Sequence, residues 1–96
     1  MKFDNFMILE FPSRSSNEAF ARSAVAFFAA QMDPTLEELG DIRTAVSEAV
    51  TNCIVHAYKN GEGKITMEAR LYEDMELVIK IKDVIVQKNI ICFYSS

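Results

Sequence analysis

Residues 65–72 and 76–82 alternate between apolar and polar side chains, and this pattern constrains the fold more than any other part of the chain. Ile65, Met67, Ala69 and Leu71 point to one side of an extended strand, and Thr66, Glu68, Arg70 and Tyr72 to the other. Glu73-Asp74 makes a tight connection. The alternation then resumes, with Leu77, Ile79 and Ile81 facing inward and Glu76, Lys80 and Lys82 facing outward. Paired strands with one apolar face require a second layer to cover that face.

The upstream sequence supplies the cover. Met7-Ile8-Leu9-Glu10-Phe11 reads as a strand ended by Pro12 and Ser13. Ser15 and Glu18 have capping-box spacing and open a helix to about Met32, with Phe20, Ala24, Phe27, Phe28 and Met32 as its apolar stripe. Asp33-Pro34-Thr35 breaks the pattern. Either Asp33 caps the next helix with Pro34 at its first position, or Thr35 caps it with Glu38 three residues on. That helix continues to about Tyr58 and buries Leu39, Ile42, Val46, Ala49, Val50, Cys53 and Ala57. Gly40 weakens its first turns, and Asn60-Gly61-Glu62-Gly63 closes it. The order strand, helix, helix, strand, strand predicts an α+β fold: one mainly antiparallel sheet with helices on one face.

Ninety-six residues suit one domain. A net charge of -4 and a pI near 4.9 disfavour binding to a phosphate backbone, so no direct nucleic-acid contact is expected. Cys53 and Cys92 lie far apart without CxxC spacing, which argues against a disulfide framework or a zinc site. The N-terminus lacks the basic start and apolar core of a signal peptide, and no apolar run reaches membrane-span length. A soluble, cytoplasmic protein is expected.

Glu48, Asn52 and His56 recur at steps of four and line one stripe at the margin of the second helix's apolar face. For that spacing alone, an ordinary polar flank is the better explanation. Parity places Asp83 on the side of Leu77, Ile79 and Ile81, where a carboxylate must be hydrogen-bonded or reach a cleft; an equal alternative is that the strand ends at Lys82 and Asp83 turns into solvent. Together these residues suggest a pocket between the helix layer and the sheet. An Asn oxygen there can ligate Mg²⁺, a Glu can accept a proton, and a carboxylate can accept a hydrogen bond from an adenine amino group.

The run Asp41-Ile42-Arg43-Thr44-Ala45-Val46-Ser47-Glu48-Ala49-Val50-Thr51-Asn52-Cys53-Ile54-Val55-His56-Ala57-Tyr58 resembles the N box of the GHKL ATPase/kinase superfamily. Within that superfamily it is similar to the anti-sigma factor serine kinases. Leu9-Glu10-Phe11, Asn17 to Arg22 and Asp33-Pro34-Thr35 extend the resemblance, which runs from about residue 7 to Asp83. It implies a Bergerat-type two-layer fold and ATP with Mg²⁺ as cofactors. By the same resemblance Glu48 is the general base toward a substrate serine, and Asn52 holds Mg²⁺ against the phosphates. Asp83 binds the adenine amino group, and His56 lines or supports the nucleotide pocket. Arg22 contacts a sigma factor and an anti-anti-sigma protein. A homodimer built by the first strand and helix is also implied, with Phe27 and Phe28 as interface or core residues.

The pattern breaks after Asp83. The family's Asp-x-Gly-x-Gly turn is replaced by Val84-Ile85-Val86-Gln87, and no glycine follows Gly63. Residues 1–83 therefore read as the N-terminal part of the kinase domain and 84–96 as an atypical tail, the pattern that a frameshift or truncated reading produces. Val84-Ile85-Val86 and Ile90 to Tyr94 either add a strand or form an ill-fitting tail. Without the glycine loops, ATP affinity is expected to be poor and kinase activity absent. An uncovered sheet edge is expected to make the domain marginally stable or self-associating.

Overall fold

The computed structural model describes residues 3–60, 63–73, 75–83 and 88–94, and the side chains of 5–55, 63–73 and 75–83. The elements are β1 (Phe3–Pro12), α1 (Ser16–Ala29), a 3-10 turn (Ala30–Met32), α2 (Leu36–Asn60), β2 (Lys64–Tyr72), β3 (Glu76–Asp83) and β4 (Lys88–Tyr94). The strands form one sheet in the order β1-β2-β3-β4, and every neighbouring pair is antiparallel. Spatial order follows chain order, so the helical layer is inserted between the first two strands.

The alternation of β2 and β3 is realised in full. Ile65, Met67, Ala69, Leu71, Leu77, Ile79 and Ile81 are all buried. Register aligns the two inward sets, with Met67 opposite Ile81 and Ala69 opposite Ile79. On β1, Phe11 is opposite Ile65 and joins the core, while Phe6 and Ile8 occupy the other face, each about half exposed. The three-residue link between β2 and β3 ends with Met75 at φ 64, where its N–H bonds to the Tyr72 carbonyl at 2.9 Å.

The tail adds a strand. β4 pairs with β3, placing Ile91 opposite Ile79 and Phe93 opposite Leu77. The β3 edge is therefore occupied by the backbone of β4, and the open edge of the sheet on this side passes to β4 itself. Val84 to Gln87 lie outside the described residues.

Two expectations for α1 are corrected. Ser15 makes no side-chain cap bond. Instead Asn17 Nδ2 donates to the Pro12 carbonyl at 2.9 Å, and Glu18 faces Arg22 at 3.6 Å rather than reaching back to Ser15. Of the expected stripe Met32 is buried and Ala24 partly so, but Ala21, Val25 and Ala29 take the buried positions on α1 in place of Phe20 and Phe27. Small side chains let α1 pack closely on α2 and the sheet, and this turns Phe20 and Phe27 outward, at 55% and 82% exposure. Phe28 packs partly buried against the core.

For α2, the Thr35 alternative is the one adopted. Thr35 N–H donates to Glu38 Oε1 at 2.8 Å, and Glu38 N–H donates to Thr35 Oγ1 at 3.1 Å, a reciprocal capping box. Asp33, at φ 52, takes the left-handed position that ends the preceding turn. Ile42, Val46, Ala49, Val50 and Cys53 are buried as expected and Leu39 partly so, while the Ala57 side chain lies outside the described residues. A Cβ at Gly40 would meet nothing within 4 Å. Gly40→Ala is accordingly expected to stabilise the domain by about 0.5–1 kcal/mol, read as a higher urea midpoint at unchanged slope.

Candidate functional site

Helix α2 positions the candidate residues. Successive steps of four place Gly40, Thr44, Glu48, Asn52 and His56 along one slowly drifting stripe. Glu48 and Asn52 are both exposed on it. His56 lies on the same helix, and its side chain is outside the described residues.

Asp83 ends β3 opposite Ile65, a buried residue, and so faces the helix-covered side as parity requires. It is half-buried, and its Oδ2 atom is shielded from solvent. The Cys53 thiol reports its position. Burial pushes that thiol up to about 11 from 9.0, and the nearby Asp83 carboxylate adds to the effect. Asp83 thus lies near Cys53, whose side chain is buried under α2 while that of the preceding Asn52 is exposed. A strand-end carboxylate stands near the helix that carries the Asn52 amide. Both are hard oxygen donors, suited to a hydrogen-bonded amino group and to Mg²⁺ respectively. Among the described residues there is no group of three or more His, Cys, Asp or Glu that could hold a metal ion. A Mg²⁺ at Asn52 would therefore take most of its ligands from phosphate and water.

Glu48 also belongs to a second feature. It lines a groove of about 340 Å³ between α1 and α2, together with Arg22, Gly40, Arg43, Thr44 and Ser47. Arg22 and Glu48, which have no sequence proximity, therefore share one surface. Arg43, Thr44 and Ser47 were not singled out from the sequence. Stepping back four residues from Glu48 reaches Thr44, but the groove's far wall depends on how α1 crosses α2, and no spacing encodes that.

Residues 11–88 match the model of the histidine kinase-like ATPase domain. The chain belongs to the histidine kinase-like ATPase family. Within the relatives of this ATPase-type domain it is similar to anti-sigma F factors. It is 57% identical over 83 residues to that of Caldanaerobacter subterraneus subsp. tengcongensis, covering 86% of this chain and 57% of the relative. The match to the anti-sigma F factor of Thermoanaerobacter pseudethanolicus is 62% over 69 residues, covering 72% of this chain and 48% of the relative. That of Clostridium kluyveri is 53% identical over 81 residues, covering 84% and 56%. The chain spans about half the length of the curated relatives it matches. Glu48, Asn52 and Asp83 all fall inside the part that matches the ATPase domain.

Proposed function

We propose that this chain carries the base-and-metal half of an ATP-dependent serine kinase site in an anti-sigma factor. The reading is carried by the half-buried Asp83 carboxylate near Cys53 of α2, the helix that also bears Asn52 and Glu48. It is supported by the names of the relatives and by the ATPase-type domain. In this reading Glu48 accepts the proton of a substrate serine hydroxyl. The Asn52 side-chain oxygen holds Mg²⁺, Asp83 accepts a hydrogen bond from the adenine amino group, and His56 supports the pocket. Bound Mg²⁺ would neutralise phosphate charge during transfer. Arg22 contributes to binding a sporulation sigma factor and an anti-anti-sigma partner in the cytoplasm. Phe6 and Ile8, exposed on β1, support a homodimer built through that strand. Residues 1–83 are the kinase-domain portion, and 84–96 are a tail that departs from the family's glycine turn. Because Val84 to Gln87 replace that turn, nucleotide affinity is poor and phosphoryl transfer absent in this chain.

Calorimetry on the purified chain tests both halves of the proposal. Mg²⁺-ATP is expected to bind weakly, and Asn52→Ala to weaken it by about tenfold or more. Equal affinity in the two proteins would remove Asn52 from the metal role. Capture of the sigma factor is expected to survive Glu48→Ala and to fall by about tenfold or more in Arg22→Glu. A folded chain that captures no sigma factor would sink the anti-sigma reading.

A further inference from the structure

The two edges of the sheet are built differently. β1 carries features that keep an edge strand from pairing: Asp4, Glu10 and Pro12, and a register irregularity between Phe3 and Asn5. β4, at the other edge, carries none of them. From Asn89 to Tyr94 it has no charge, proline or glycine, and most of its residues are β-branched or aromatic. Among the described residues β4 pairs only with β3, so its outward backbone groups meet no further strand.

Charge is divided along this edge. Register places Glu76 opposite Tyr94 at one end of the β3–β4 pair and Lys82 opposite Lys88 at the other. All four positions belong to the face away from the helices, since they alternate with the buried Leu77, Ile79 and Ile81 and their partners. Two lysines at opposed positions repel each other. Glu76, Lys80 and Lys82 take no part in an ion pair among the described residues. One end of the edge is acidic, the other basic, and the middle is apolar.

We infer that β4 is an interface between two copies of this chain, paired antiparallel about a two-fold axis at Ile91. That axis puts Lys88 of one copy opposite Tyr94 of the other, and Ile90 opposite Cys92. Glu76 and Tyr94 of one copy then share a row with Lys88 and Lys82 of the second, all on the open face. The acidic end of each sheet meets the basic end of its neighbour, twice by symmetry. Parallel pairing would instead set lysines against lysines. The net charge of -4 repels at long range, but salt screens that field within about 8 Å at physiological ionic strength, whereas the matched ends meet at contact. A foreign strand would need both the apolar run and the opposed charges; a second copy has them already. This contact is separate from the homodimer proposed through Phe6 and Ile8 on β1. A chain using both would assemble beyond a dimer.

Sedimentation velocity on the whole chain over a range of concentrations tests this. The parent is expected to self-associate. Glu76→Lys and Lys88→Glu are each expected to weaken association by about fivefold or more, because each reversal counts twice at a two-fold contact. The variant carrying both is expected to recover most of the loss. Within one chain, positions 76 and 88 lie at opposite ends of the β3–β4 pair, so recovery reports a contact between copies. Matching urea midpoints at low concentration would verify that the variants fold. Ile90→Cys gives a second reading: with diamide as oxidant, a disulfide to Cys92 of the other copy is expected to yield more covalent dimer than the parent does. A parent chain that stays monomeric would leave β4 to a strand of another protein and overturn the inference. So would association that neither reversal changes, association lost only on Phe6→Asp, or a double variant weaker than both single ones. No readout involves nucleotide or sigma factor, so failure of the kinase reading leaves a positive result intact.

Discussion

Ile79→Ala is expected to lower the unfolding free energy by about 2–5 kcal/mol, enough to consume a large share of the stability of a domain this size. Ile79 is fully buried on β3. Its flanking partners in the sheet are Ala69 on β2 and Ile91 on β4. Ala69 is too small to swell into the space that truncation would leave, and the helical layer above is held by its own packing. The cavity should persist, and its cost adds to the lost transfer energy of the removed carbons. Lys82, exposed on the same strand, provides the contrast: Lys82→Ala should change stability by no more than about 0.5 kcal/mol. Urea unfolding of the two variants beside the parent checks this. Similar midpoints for both would mean that β3 does not carry the core.

The second large effect concerns alkaline pH. The Cys53 thiol is pushed up to about 11 in the folded chain, first by burial and then by the Asp83 carboxylate. Folding therefore favours the protonated thiol. Its contribution is fully present below the unfolded value of 9.0 and is lost as pH rises through about 11. Between those limits the unfolded chain has released a proton that the folded chain keeps, so stability should fall by about 1.4 kcal/mol per pH unit, roughly 2–3 kcal/mol in total. Lysines and tyrosines titrate over the same range, so the informative quantity is the difference in slope between the parent and Cys53→Ala. The substituted chain should begin less stable at pH 8 and lose less by pH 11. Asp83→Asn should narrow the window by removing the second cause. Parallel pH profiles for the parent and Cys53→Ala would show that the thiol is not held as described.

The strand and helix patterns were legible to different depths for physical reasons. Alternation on β2 and β3 has a period of two with one covered face, so a wrong register would expose every apolar side chain at once. The stripe of α2 was equally legible, since its apolar positions are bounded on both flanks by charged and polar ones. On α1 side-chain size is a poor guide to burial. Phe20 and Phe27 are the largest apolar groups, but close approach of α1 to the layers beneath selects Ala21, Val25 and Ala29. The Ser15 capping box failed because Glu18 lies beside Arg22, whereas the same spacing at Thr35 and Glu38 formed as written. The tail was ambiguous because a continuous apolar block fits either an added strand or a misfit, and only the free edge of β3 decides between them.

The candidate site divides in the same way. The placement of Glu48 and Asn52 on one flank of α2 follows from helical spacing, and the inward direction of Asp83 follows from strand parity. That Arg22, Arg43 and Glu48 share a groove follows from neither, because it depends on the crossing of α1 and α2. The polar groups most exposed to a partner are thus the ones local sequence rules say least about.

The chain leaves and re-enters the sheet through a single clasp. Ser13 N–H donates to the Gly63 carbonyl at 2.9 Å, Ser13 Oγ donates to the same carbonyl at 3.0 Å, and Gly63 N–H donates to Ser13 Oγ at 2.9 Å. These bonds bring together residues fifty positions apart and close the entire helical layer into one loop. Hairpins between β2, β3 and β4 can form from local contacts, but β1 can join only after that loop has closed and its entropy has been offset by helix packing. β1 is therefore the strand whose pairing closes the longest loop in the sheet. The strand proposed to hold two subunits together through Phe6 and Ile8 is also the one tied to its own sheet across the greatest stretch of chain.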